Sequence, residues 1–147
     1  MTARSLDHAA RWLDDLERAS KVATRGEWPL VAVLEHLAQS VEMSLEGFPQ
    51  AKPAWFQRTV GAAAFAYFGW RGRMSHGLAA PIPGAPALTL EGDWRPAAGR
   101  LRAALARFDA HEGALRPHFA YGALGKSDYA VAHGLHIANH RDEVVAD

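Results

Sequence analysis

Residues 29–49 read Pro-Leu-Val-Ala-Val-Leu-Glu-His-Leu-Ala-Gln-Ser-Val-Glu-Met-Ser-Leu-Glu-Gly-Phe-Pro. Leu30, Val33, Leu34, Leu37, Val41 and Leu45 recur at the spacing of one helical face, so the stretch is an amphipathic helix. Pro29 suits its first position, where a missing N–H costs little. Gly47-Phe48-Pro49 ends it. His36 stands mid-helix, at the flank of the apolar stripe.

The same periodicity extends outward in both directions. Leu6, Ala9, Ala10, Leu13 and Leu16 predict a helix over 5–20, with Ser5 as its N-cap. Pro53 opens a third helix that runs to Arg73. Its stretch Val60–Trp70 reads as a buried core helix, with glycines and alanines that permit close helix approach. Met74–Gly92 contains Pro81-Ile-Pro-Gly-Ala-Pro86, which cannot be helical and reads as a long extended connection. A fourth helix fits 95–111, with Leu101, Ala104, Leu105 and Phe108 inward and arginines outward. Residues 113–126 are irregular and include Pro117-His118-Phe119 and Tyr121-Gly122. Ser127-Asp128 caps a last helix over 128–145. No strand-like alternation and no internal repeat is found. The expectation is an all-α four-helix bundle with one additional helix and a long Pro/Gly-rich connection, folded as one domain over 1–147.

Composition narrows the function. The chain has 147 residues, 49% of them apolar, enough for a core. Sixteen basic and sixteen acidic side chains give a net charge of zero. That removes the electrostatic case for nucleic acid or an anionic membrane. The N-terminus is polar from the start, and the longest apolar run is about half the ~20 residues a bilayer needs. A cytoplasmic location is expected. With no cysteine, disulfides, thiolate nucleophiles and zinc ribbons are excluded. Eight histidines remain as the chemistry-bearing surplus.

The last helix contains His133-Gly-Leu-His136-Ile-Ala-Asn-His140. His136 and His140 are one turn, ~5.4 Å, apart on one face, so their imidazoles can converge on one ion. At ~100° per residue, Tyr129, His133, His136, His140 and Glu143 share one narrow sector, which suggests a face lining an internal cavity. The alternative is a set of solvated histidines favoured by the helix C-terminus. Two imidazoles make an incomplete site, because a catalytic zinc takes three protein ligands and an open position. His36 is the best candidate for the third. It also reads as a core-edge histidine bonded to backbone or Gln39. His8 and His111 sit among charges and look superficial. His76 and His118 lie in loops, and His118 has aromatic neighbours. Other templates are absent: no Glu-x-x-His pair, no His-Glu-x-x-His, no phosphate loop, no Gly-x-Ser-x-Gly.

A histidine in the second helix followed by His-x-x-x-His in the last resembles the DinB-like (YfiT-like) superfamily of metal-dependent helical bundles. Four blocks resemble one uncharacterised subfamily of it: His36–Pro49, Pro81–Pro86, Pro117-His-Phe-Ala-Tyr-Gly122 and His133–His140. The resemblance covers about residues 8–145. It implies a bundle whose metal is held by three histidines, and residue by residue these are His36, His136 and His140. His133 matches no ligand of the family and is expected behind the ligands. Relatives often follow the last ligand with Gly-Gln or an aromatic; here Arg141-Asp142-Glu143 stands instead.

Three neutral imidazoles leave the ion its full charge, and such a site can ionise water near pH 7 or take up a thiolate. The expected function is therefore a metal-dependent hydrolase, or a transferase using a low-molecular-weight thiol that the cysteine-free chain cannot supply. Zinc, nickel, iron and manganese are the candidate ions. His118, His133, Tyr121 and Glu143 are expected to tune the site from outside. Relatives are often homodimers. The competing reading is a non-catalytic helical module that binds a small molecule or acts through self-association.

Overall fold

The computed structural model describes residues 2–72 and 79–147, with side chains from Leu6 onward. The expectations for 73–78, including the loop position of His76, lie outside the described residues. The elements are α1 (Thr2–Arg18), β1 (Val22–Thr24), α2 (Leu30–Glu46), α3 (Ala54–Phe56), a π-turn (Gln57–Gly61), α4 (Ala62–Arg71), α5 (Arg95–Ala110), α6 (Lys126–Arg141) and β2 (Val144–Ala146).

α2 is the centre of the fold. Leu30 to Leu34, Leu37, Ala38 and Val41 are buried, and so are His36, Gln39, Ser40 and Ser44. A helix buried on nearly every side must be surrounded. It packs mainly on α5 and also on α6, while α1 packs on α6 and α5. Ala9, Trp12, Leu13 and Leu16 of α1 meet Leu101, Ala104, Leu105 and Phe108 of α5 in one core. Ion pairs stitch the rim: Arg100–Glu42 at 2.6 Å, Arg102–Asp14 at 2.7 Å and Arg107–Glu46 at 3.0 Å. Partly exposed pairs of this kind contribute ~0–1 kcal/mol each, so the apolar core dominates.

Several expectations are corrected. The fold is mostly helical, but it carries a two-stranded antiparallel ribbon, Val22↔Ala146 to Thr24↔Val144. α6 therefore stops at Arg141, and Val144–Ala146 turns back along β1 instead of extending the helix to 145. Ser5 falls inside α1 instead of capping it. Pro29 is the N-cap of α2, one position earlier than expected. Gly125 precedes α6 without a side-chain cap, which puts Ser127 and Asp128 within its first turn.

The largest correction concerns 54–71. Gly61 is the one buried residue in the three segments of this stretch. Trp55, Tyr67 and Trp70 are 66%, 51% and 85% exposed. This helix lies outside the core; hydropathy alone cannot distinguish an apolar surface helix from a buried one. Its Gly61 does permit a close approach, but to a loop: a Cβ there would overlap the carbonyl oxygen of Ala120.

Among the described residues, no helix is long and apolar enough to cross a membrane.

Candidate metal centre

His36 reaches the centre from α2, and His136 and His140 reach it from successive turns of α6. The Nε2 atoms of His36 and His136 lie 3.0 Å apart. One ring nitrogen from each of the three histidines falls within 4.8 Å of the others. The three ring centroids are 4.9 to 5.0 Å apart, each pair edge-on. On the last helix His133 and His140 are buried and His136 is half-buried, so that face is not a solvated one; His36 is buried too. The His36 ring meets two other imidazoles, and Gln39 turns its amide to the Pro86 carbonyl.

The donor set suits a divalent ion. Imidazole nitrogens bind zinc at ~2.0–2.1 Å, so two tetrahedral ligands sit about 3.3 Å apart, close to the 3.0 Å here.

Glu143 stands behind His140. Its Oε1 is 3.3 Å from His140 Nδ1, within a buried pocket. Burial pushes its carboxyl above the usual range. Helix phase placed it on the correct side, but Glu143 lies in the turn after α6. The ribbon holds it there: Arg25 N–H donates to the Glu143 carbonyl at 2.8 Å. Gly26 leaves room for the carboxylate, since a Cβ would overlap Glu143 Oε2.

Trp28 is a residue the sequence reading missed. Its ring lies parallel to His140 at 6.3 Å and tilted against His36 at 5.1 Å. It sits in the turn before α2, where no periodicity marks it.

A cavity of about 380 Å³ opens beside the histidines. His36, Ser40, His133 and His136 form one wall, Ala80–Pro83 another, and Phe119–Tyr121 with His118 a third. The Pro-rich connection is tied over α2, with Thr89 N–H donating to Glu35 at 2.7 Å. His118, His133 and Tyr121 thus line the cavity next to the ligand cluster. Burial lowers the His118 pKa to about 4 and raises that of Tyr121 to about 12. Burial, with His118 nearby, lowers His133 to about 3. His133 Nε2 lies 3.1 Å from Ser44 Oγ, and its ring stacks on Tyr129. His8 and His111 take no part: His8 pairs with Arg11, and His111 with the Ala114 carbonyl.

No curated protein and no solved structure matches the chain. Residues 1–147 match the family described as Protein of unknown function (DUF1569), a branch of the DinB/YfiT-like superfamily, and the chain belongs to that family.

Proposed function

We propose that the protein is a single-domain, DinB-like four-helix bundle that acts as a metal-dependent hydrolase or small-thiol transferase. His36, His136 and His140 are its metal ligands. The observation that carries this reading is the convergence of three imidazoles within 4.8 Å, at the wall of a cavity of about 380 Å³. A divalent ion held there supplies Lewis acidity sufficient to ionise water or a thiol near neutral pH.

The chain's own residues do the rest. Glu143 accepts from His140 Nδ1–H, which fixes that ring's tautomer and turns Nε2 toward the centre. Trp28 covers the ligands and keeps water from that side. The cavity wall opposite is largely apolar and positions the substrate against the centre. Self-association belongs to the same reading: the exposed Trp55, Tyr67 and Trp70 give α3–α4 an apolar face, and zero net charge does not oppose pairing. Light scattering on the purified protein tests this part.

The metal is tested by elemental analysis of purified protein. The expected result is about one ion of zinc, nickel, iron or manganese per chain, with His36→Ala losing affinity by more than the ~10–100-fold typical of an outer-shell change. Trace metal alone, with stability indifferent to chelation, would support the non-catalytic module instead.

A further inference from the structure

Two cavity histidines outside the ligand cluster have their tautomers set by their hydrogen bonds. The Nδ1 of His118 accepts from two backbone N–H groups, Ala120 and Tyr121, both at 3.1 Å. An atom that accepts twice carries no proton, so the neutral ring holds its proton on Nε2. Tyr121 stacks on the ring at 4.3 Å and Phe48 packs on it at 5.1 Å. His118 lines the cavity, and Nε2–H is the ring group that its backbone contacts leave for a ligand. His133 has the same tautomer with the opposite nitrogen engaged. Ser44 Oγ donates its one proton to the Val41 carbonyl at 2.6 Å, so it can only accept from His133 Nε2–H. His133 is left with Nδ1 as an acceptor.

The loop that carries His118 is braced on purpose-fitted partners. Gln57 amide donates to the Phe119 carbonyl, and Lys52 N–H donates to the same carbonyl at 2.8 Å. Gly61 lets the Ala120 carbonyl approach the helix. The Gln57 and Gly61 contacts lie in the π-turn, a distortion frequent at functional sites. Lys52 is the one permanently charged residue among the described lining, and its ammonium sits over the Phe56 ring at 5.6 Å.

We propose that this cavity selects an uncharged small molecule with an apolar body and a neighbouring acceptor–donor pair, of which a primary carboxamide is the simplest form. His118 Nε2–H donates to the acceptor and His133 Nδ1 accepts from the donor. The proposal rests on the cavity of the functional reading above, but it does not require that the ion be bound. Both rings stay neutral at pH 7 because burial depresses their pKa values. A neutral donor and a neutral acceptor in an apolar wall discriminate by leaving one another unsatisfied when the wrong ligand enters.

The test uses three probes of similar size, benzamide, ethylbenzene and benzoate, titrated into the chelator-treated full chain and into the zinc-treated one. Long-range ¹H–¹⁵N spectra of the histidine rings report tautomers before any ligand is added. The expected result is an Nε2–H tautomer at both His118 and His133, and benzamide binding at least about fivefold tighter than either other probe. His118→Phe should remove that preference. An Nδ1–H tautomer at His118 in the parent, equal binding of ethylbenzene, or a preference for benzoate would overturn the proposal. The tautomer spectrum needs no variant, so a poorly folding His118→Phe does not spoil the test. Discrimination without zinc uptake would retain this inference and remove the metal reading; zinc uptake without discrimination would do the reverse.

Discussion

Histidines at the same helical spacing carry different burdens once their neighbours are counted. His136 and His140 were legible as a pair because i, i+4 on a helix puts two side chains on one face whatever surrounds them. His36 is a hundred residues before His136 in the chain, and no spacing rule spans that separation; its place at the flank of the α2 stripe made it the best third candidate, and the resemblance implied that it is a ligand. Glu143 was legible by phase but for an imperfect reason, since it stands beyond the end of α6. Its role has a direct test. Glu143→Gln keeps the volume and removes the charge that orients His140, so zinc affinity should fall ~10–100-fold while the fold survives. Competition with a chromophoric chelator measures it, and an unchanged affinity would remove Glu143 from the site. His118 and His133 make a second prediction. Their folded pKa values, about 4 and about 3, lie below the 6.5 of the unfolded chain. Below pH 6.5 the unfolded chain takes up protons that the fold refuses. Stability is therefore complete above 6.5 and falls as pH drops toward 4, by up to ~1.4 kcal/mol per pH unit for each ring. His118 is faced by Tyr121 and Tyr129, both uncharged in this window, and by His133. Urea midpoints between pH 7 and 4.5 check the slope, and His118→Phe should flatten it by one proton's share.

At the scale of elements, the long periodic helices were legible and the short pieces were not. α2 and α5 announce themselves through stripes that the core then uses, from Leu30 to Val41 and from Leu101 to Phe108. β1 and β2 are three residues each, too short for alternation to register, and they exist because they pair with one another across the chain. The π-turn at Gln57–Gly61 leaves no sequence mark either. It accompanies the docking of the His118 loop, and that contact yields a paired prediction. Gly61→Ala should destabilise the protein by ~1–3 kcal/mol, because the Ala120 carbonyl is backbone and cannot step aside. Gly69→Ala, eight residues on, meets nothing within 4 Å and should stabilise α4 by up to ~1 kcal/mol. Thermal denaturation of the two variants separates them; equal effects would mean that Gly61 has no special contact.

At the scale of the molecule, the fold is a device for bringing two helices to one point. α2 and α6 meet through their histidines, while α1 and α5 close the remaining sides of the core. The ribbon fastens the chain's last residues to the turn after α1 and so carries Glu143 to His140. Sequence periodicity identified which helices were apolar, but it could not tell that 54–71 would stay outside. That depends on how much core α2, α5, α1 and α6 fill between them, which is a property of the assembled whole. Binding to the native chain alone stabilises it by mass action. Zinc at 100 times its Kd should therefore raise stability by about 2.7 kcal/mol, read as a higher Tm that a chelator reverses.

The central claim is that His36, His136 and His140 hold one ion. Anomalous diffraction from crystals grown with zinc tests it most directly. The account predicts a single strong peak ~2.0–2.1 Å from one ring nitrogen of each histidine. A peak elsewhere on the chain, or none in the presence of excess zinc, would contradict it.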